Sequence, residues 1–253
     1  MKLQQLLRDN ASRESQPLNL VRNDAASEAT LYIYDVIDPY WGIGAESVVK
    51  EIAALDPSVT LNVRINSPGG DVFDGRAMAS AIRGHKGKTI AYVDGLAASA
   101  ATTIAAACGE VVMGEGSFFM IHNSWSIVWG NKADMTDMAG LLGKIDQAIA
   151  GDYVNTNRKG KTLADMVAWM DAETWFSAEE AVSNGFADRI DAKADPAPAA
   201  ANKAGLSGQQ RRWNLAAYDK APAALVQASA PPEKDYAEVR AANERRLRLL
   251  EIA

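Results

Sequence analysis

Ser99 lies in a stretch whose residue types could support nucleophilic catalysis. It stands among small residues in the run DGLAASA (residues 94–100), between a β-type segment and a helix-type segment. A serine at such a strand-to-helix turn exposes its Oγ at the carboxyl end of the strand, and the first N–H groups of the helix converge beside it. Ser99 could instead serve only as a helix cap. The run by itself leaves both roles open.

Three further stretches supply the other groups that a serine nucleophile needs. The turn NSPGG (residues 66–70) follows an alternating strand, and paired glycines can turn bare N–H groups toward a ligand. His122, one of only two histidines, comes directly after the apolar run FFMI. Asp171 and Glu173 offer carboxylates near a tryptophan. A nucleophile, a base, an acid and oxyanion donors are then available in the order Ser, His, acid, which favours catalysis over capping.

In order along the chain, the motifs NSPGG, GLAAS, MIH and SAEEAVSNGFAD resemble those of the ClpP family of serine peptidases. Within that family they are most similar to the ClpP-like head maturation proteases of tailed bacteriophages. The resemblance covers residues 31–190 and implies an α/β fold, a ClpP/crotonase-like superhelix of β-β-α units with a protruding handle helix. It also implies that Ser99 is the nucleophile, that His122 is the base, and that the amides of Gly70 and Ala100 form the oxyanion hole.

The acid is the point at which this sequence departs from the family pattern. The family places an aspartate four positions before the serine of its Ser-Ala motif, and counting back from Ser177 leads here to Glu173. Asp171 lies two residues earlier, and in an extended stretch both side chains would share a face. The resemblance therefore assigns the orienting acid to Glu173, with Asp171 as the alternative.

The elements that must position these residues follow from an alternation of strand and helix patterns. Strands are predicted at residues 30–37, 61–65, 89–93, 111–113 and 118–121, and helices at 45–55, 72–83 and 103–108. Such alternation implies parallel strands with right-handed crossovers, and sites in these folds gather at the carboxyl ends of the strands.

A longer helical pattern runs from residue 132 to about residue 157, with apolar residues on more than one stripe. Such a helix needs more than one covering surface. In the family that the chain resembles, this element is the handle along which rings meet, so the resemblance implies a ring-forming homo-oligomer. The preceding run WSIVWGN (residues 125–131) alternates apolar and polar residues and predicts either an exposed strand edge or a hairpin packed in the core. The resemblance implies that a peptide substrate docks near this region as an added strand.

Composition divides the chain into three parts. Residues 1–29 are polar and are predicted to form an N-terminal arm with a short helix near residues 3–7, ahead of a peptidase domain at 30–190. Residues 191–253 begin with an Ala/Pro-rich stretch that lacks aromatic and β-branched residues, which predicts a flexible linker and tail. A charged pattern near the end predicts a terminal helix at 236–252.

Charge and cysteine usage limit the classes of function. The chain has 253 residues, 48% of them apolar, which is enough for one sizeable core. A net charge of −6 argues against binding of nucleic acid or of an anionic membrane. The single cysteine, Cys108, and the lack of a membrane-spanning apolar run predict a cytoplasmic protein of a bacterium or of an infected host. No spacing suggests a metal site, and the Gly-Gly turn lacks the lysine of a phosphate loop, so no cofactor is expected.

The predicted function is that of an ATP-independent serine endopeptidase acting on peptides or proteins, with capsid or scaffolding protein as the substrate of a head maturation protease. Two alternatives come from other classes. A crotonase-like acyl-CoA enzyme would share the architecture and a Gly-rich oxyanion hole, but it would not need Ser99 and His122. A non-catalytic assembly or scaffold protein that retains the peptidase fold is suggested by the long tail.

Overall fold

Strands and helices alternate along most of the chain. The structure, a computed structural model, describes residues 18–191, Leu215, residues 218–222 and Leu225. The strands within these residues are β1 (Asn19–Asn23), β2 (Glu28–Ile33), β3 (Thr60–Ser67), β4 (Thr89–Ala98), β5 (Glu110–Gly114), β6 (Phe118–Ile121), β7 (Thr174–Ser177) and β8 (Arg189–Asp191). The helices are α1 (Ala45–Ala53), α2 (Val72–Gly84), α3 (Ala100–Ala106), α4 (Lys132–Thr156), α5 (Leu163–Asp171) and α6 (Ala178–Ser183).

The strands form one sheet in the order β1-β2-β3-β4-β5-β8. From β2 to β8 every neighbouring pair in this order is parallel, as the alternation of strands and helices predicted. Strand β4 divides its partners: Ile90–Val93 pair with β5, whereas Leu96–Ala98 pair with β6, which in turn pairs with β7. Since β4 and β6 run parallel and pair up to their ends, the residues that follow them meet at one edge.

One face of the sheet and the inner sides of the helices build the core. Strand β3 alternates strictly between buried and half-exposed residues, and helix α2 covers it with Met78, Ala79 and Ile82. Helix α3 has six buried residues out of seven, because alanines and threonines allow it to pack between sheet and helices. These observations confirm the predicted mixed α/β class.

Helix α4 protrudes from the domain. Only Ile149, Ala150 and Tyr153, near its C-terminal end, are buried, whereas Met135 and Leu141 are 43% and 46% exposed. The predicted long handle helix is thus present, and it carries apolar side chains that its own domain leaves uncovered.

The predicted N-terminal arm is wrong over its described part. Residues 19–23 form strand β1, which pairs antiparallel with β2, so the sheet begins at Asn19 and not at residue 30. Leu18 and Leu20 are partly buried against the core, which anchors this strand. The helices predicted near residues 3–7 and at 236–252 lie outside the described residues.

The predicted strand edge at residues 125–131 is also wrong. No strand forms there, and Trp129 is 80% exposed. Within the described chain no neighbouring strand pairs with this segment, so alternation of residue types alone does not produce a ladder. In the described part of the chain no helix is long and apolar enough to cross a bilayer, and no group of three or more His, Cys, Asp or Glu could hold a metal ion.

Candidate active site

Ser99 occupies a strained turn between β4 and α3. Its backbone has φ 55° and ψ −126°, a conformation that costs a non-glycine residue about 1–3 kcal/mol. It stands at the N-cap position, yet its side chain makes no capping hydrogen bond. The turn is crowded by small neighbours, since a Cβ on Gly69 would lie 2.7 Å from the Cβ of Ser99. The strain therefore directs the hydroxyl away from a capping role and into the cavity.

His122 lies beside this hydroxyl. Its Nε2 is 2.8 Å from Ser99 Oγ. The backbone explains the approach, because the Ser99 N–H donates to the carbonyl of Met120 at 2.9 Å and continues the pairing of β4 with β6. The predicted nucleophile and base are thus brought together by strand register.

The environment of His122 favours a neutral imidazole. Burial lowers its pKa to about 4, and the carboxylates of Glu173 and Asp146 oppose this shift only in part. At neutral pH the ring is therefore unprotonated and able to accept the proton of Ser99.

Two backbone amides at this cavity have no acceptor within the part of the chain that the structure describes. Ile37 forms a parallel bridge here, donating to the Gly69 carbonyl at 2.9 Å and accepting from Asp71 N–H at 2.7 Å. The Gly70 N–H takes no part in these bonds and has no acceptor among the described residues. Ala100 is the first residue of α3, so its N–H has no partner within the helix. Such a pair of donors could stabilise an oxyanion formed at Ser99.

Glycine is required at position 70. Gly70 has φ 147°, and a Cβ at this position would lie 2.1 Å from the carbonyl oxygen of Ile37. The residue type that the sequence pattern singled out therefore follows from a close approach of two backbone segments.

Glu173 lies near His122 but does not bond to it. Its carboxylate accepts hydrogen bonds from the N–H groups of Asp219 at 2.9 Å and Lys220 at 2.6 Å. Trp175 Nε1 also lies 3.3 Å from it. Within the described chain no carboxylate is hydrogen-bonded to the ring of His122. The influence of Glu173 on that ring is through charge alone.

The expectation that residues 171 and 173 share the face of an extended stretch is wrong. Asp171 is the last residue of α5, and Glu173 has φ 47° in the turn before β7. The helix end and the left-handed residue send the two carboxylates in different directions. Asp171 accepts a hydrogen bond from Asn123 Nδ2 at 2.7 Å instead of approaching His122.

Two residues of this region were missed by the sequence reasoning. Asp146 of α4 accepts hydrogen bonds from the N–H and the hydroxyl of Ser124, both at 2.6 Å, and its charge acts on His122. Tyr218 packs edge-on against His122, with ring centroids 5.2 Å apart and planes at 87°. Neither carries a local motif, because both contacts depend on how distant segments dock.

The site opens into a cavity of about 350 Å³. Ser99, Gly70, Ala100 and His122 line it together with Tyr218, and apolar side chains of α4 form another wall. A space of this size and lining suits a short stretch of peptide.

Comparison with known proteins places the chain in a family. The sequence model of the Clp protease family matches residues 16–194. The ATP-dependent Clp protease proteolytic subunit of Streptococcus gordonii is 30% identical in an alignment 161 residues long that covers 58% of this chain and 77% of the relative. The corresponding subunit of Leuconostoc citreum is 32% identical in an alignment 168 residues long that covers 61% and 80% of the two chains.

A solved structure agrees with these matches at the level of fold. A ClpP1 mutant from Listeria monocytogenes superposes with a TM-score of 0.58 at 23% identity, covering 66% of this chain and 92% of that one. The predicted ClpP-like fold is thereby confirmed. The family match spans every predicted site residue and favours the peptidase class over a crotonase-like enzyme, while Tyr218 lies beyond its end. The chain belongs to the Clp protease family.

Proposed function

We propose that this family member is a serine endopeptidase with Ser99 as its nucleophile. The observation that carries the proposal is the 2.8 Å contact of Ser99 Oγ with a neutral His122. As Oγ attacks a peptide carbonyl, His122 takes its proton, and the amides of Gly70 and Ala100 stabilise the tetrahedral oxyanion. The protonated ring then gives the proton to the leaving amine, and water releases the acyl group by the reverse sequence.

The orienting acid of the active state is Glu173. Its charge already raises the pKa of His122, which supports a position close to the ring. A hydrogen bond to the second ring nitrogen would hold the tautomer that leaves Nε2 free to accept a proton. The carboxylate must first turn toward this second nitrogen, because it now accepts from the N–H groups of Asp219 and Lys220 and makes no hydrogen bond to the ring.

The reaction at Ser99 consumes no nucleotide, so short peptides should be hydrolysed without ATP. Exposed Met135 and Leu141 on α4 support assembly of a homo-oligomeric ring through that helix. Peptide hydrolysis measured with and without ATP, together with the mass of the particle in solution, tests both statements. Stimulation that depends on ATP, or a monomer, would contradict them.

The biological role we propose is head maturation in a tailed bacteriophage, with capsid or scaffolding protein as the substrate. It is supported by the motif resemblance. Co-expression with the capsid and scaffolding proteins of the same genome should yield shortened products with the intact chain and none with Ser99→Ala.

A fluorophosphonate probe tests the catalytic assignment directly. It should label the intact chain at Ser99, and Ser99→Ala should remain unlabelled. A scaffold protein without activity, or an acyl-CoA enzyme that does not use Ser99, would give no labelling in either protein.

A further inference from the structure

A segment near the C-terminus packs into the active-site cavity. We call Leu215 and residues 218–222 the C-terminal segment. Leu215 and Tyr218 are only 4% and 6% exposed. They form an apolar cluster with side chains next to the catalytic turn, namely Val36, Leu96, Ala98 and Met120. This part of the chain was predicted to be a flexible tail, and the burial of these two side chains contradicts that prediction.

Tyr218 stands directly before the catalytic pair. Its ring packs edge-on against both His122 and Trp175, with centroids 5.2 Å and 5.8 Å away. Its hydroxyl donates to the carbonyl oxygen of Pro68 in the turn beside the oxyanion donors. Burial raises the pKa of Tyr218, so its hydroxyl stays protonated and able to donate at neutral pH. The ring of Tyr218 therefore occupies space beside Ser99 and His122 that a substrate approaching the nucleophile would need.

The same segment engages the acid. Glu173 accepts the N–H groups of Asp219 and Lys220, and Lys220 Nζ donates to the carbonyl oxygen of Ala172 at 2.5 Å. These bonds hold the Glu173 carboxylate in a position from which it makes no hydrogen bond to the ring of His122. Tyr218 of the C-terminal segment thus lies beside the proposed nucleophile. The next two residues, Asp219 and Lys220, bind the carboxylate of Glu173.

We propose that the C-terminal segment is an intramolecular inhibitor that narrows the cavity beside Ser99 and keeps Glu173 away from His122. This inference rests on the proposed serine peptidase function. Trp175 and Met120 surround the ring of Tyr218, so departure of the segment would leave an apolar recess at a position that now holds an aromatic side chain. The substrates favoured by the open enzyme are therefore peptides with an aromatic residue close to the cleaved bond.

Full-length variants test this proposal. Tyr218→Ala removes the ring, whereas Tyr218→Phe keeps it and serves as the matched control. If the open state is a minor one, Tyr218→Ala should raise the rates of fluorophosphonate labelling and peptide hydrolysis by about tenfold or more. Tyr218→Phe should stay close to the intact chain.

A second variant weakens the hydrogen bonds of the C-terminal segment to Glu173 without replacing a side chain of the apolar cluster. Lys220→Pro removes the N–H donor to Glu173 and the ammonium group that binds Ala172, and it should also raise both rates. It keeps the proposal testable should Tyr218→Ala fail to fold.

A peptide added to the Tyr218→Ala variant tests whether the segment inhibits by binding in the cavity or whether the substitution acts by altering the structure. A synthetic peptide of residues 213–226 should inhibit Tyr218→Ala competitively with the substrate. The same peptide with alanine at the tyrosine position should inhibit far less.

The outcomes separate this inference from the proposed function. Equal labelling rates in the intact chain and the Tyr218→Ala and Lys220→Pro variants would overturn the inference and leave the peptidase intact. Slower labelling in the variants would also overturn it, because the segment would then complete the site. Absence of Ser99 labelling in every protein would instead refute the peptidase function itself.

Discussion

The two halves of the candidate site are held in different ways. Ser99 and His122 follow paired parallel strands, so their contact depends on backbone hydrogen bonds within the sheet. Glu173 lies in a turn with a left-handed backbone, and its carboxylate binds the C-terminal segment. The contact of the proposed nucleophile Ser99 with the proposed base His122 is thus preformed by the fold, whereas the position of the proposed acid Glu173 depends on which partner its carboxylate binds. We therefore expect activity to be controlled through Glu173 and not through Ser99 and His122.

The largest effect is expected from removal of the nucleophile. Ser99→Ala deletes one oxygen among small residues, so fold and assembly should persist while peptide hydrolysis falls by about 10³-fold or more. Steady-state kinetics and thermal unfolding measure the two properties side by side. Activity close to that of the intact chain would refute the mechanism.

The loss of activity on replacing Glu173 should depend on whether the C-terminal segment occupies the site. In the Tyr218→Ala background, Glu173→Gln should lower kcat by up to about 10⁴-fold, because an amide no longer holds the productive tautomer of His122. In the intact chain the same change should cost less, since the carboxylate is already bound elsewhere.

Asp171→Asn is the matched control for that substitution. It alters a carboxylate bonded to Asn123, and it should leave kcat within about twofold, the usual range for a charge outside the reacting groups. The reverse ranking of the two variants would reassign the acid to Asp171. A mild loss in both would mean that another group orients His122.

The pH profile distinguishes the closed from the open site. His122 is faced by Glu173, by Asp146 of α4, and by the hydroxyls of Ser99 and Tyr218. Burial lowers its pKa to about 4, so kcat/KM of the intact chain should fall only as pH drops toward 4. Tyr218→Ala exposes the ring of His122 to water and releases Glu173. The pKa of His122, and with it the acid limb of the pH profile, should therefore move up toward the ordinary value of 6.5. An acid limb at the same pH in both proteins would contradict the proposed effect of Tyr218 on His122.

Folding stability should follow the same titration. The folded pKa of His122 lies below the ordinary 6.5, so the unfolded chain binds more protons between about pH 4 and 6.5. The free energy of unfolding should therefore be fully developed above pH 6.5 and decline as the pH falls toward 4. Denaturant unfolding of the intact chain and of His122→Gln at several pH values measures this contribution by difference.

A small effect is also expected at Asp146. Asp146→Asn keeps an oxygen acceptor for Ser124 and removes a charge that raises the pKa of His122, so the acid limb should move slightly lower. The loss in kcat should stay within about fivefold, as is usual for a charge that does not touch the reacting groups. A loss as large as that of Glu173→Gln in the Tyr218→Ala background would make Asp146 the orienting residue.

The sequence by itself determined the parts of the site that depend on local order. A strand, a crowded turn and a helix place Ser99, and a neighbouring parallel strand places His122, because parallel strands present their carboxyl ends at the same edge. The need for glycine at position 70 was likewise visible as a paired-glycine turn. The capping boxes that begin α5 and α6 at Thr162 and Ser177 depend on the same kind of short-range pattern, a Thr or Ser followed three residues later by Asp or Glu.

Only the tertiary structure decided the environment of the base. The direction of Glu173 follows from a left-handed residue after α5, the approach of Asp146 from the docking of α4, and the position of Tyr218 from a contact with residue Pro68, far away in the chain. No short-range pattern encodes such contacts. The Ala/Pro-rich composition of the tail predicted no buried residues there, yet Leu215 and Tyr218 are buried. They pack against side chains of the sheet, so their burial depends on a surface that exists only once the sheet has formed.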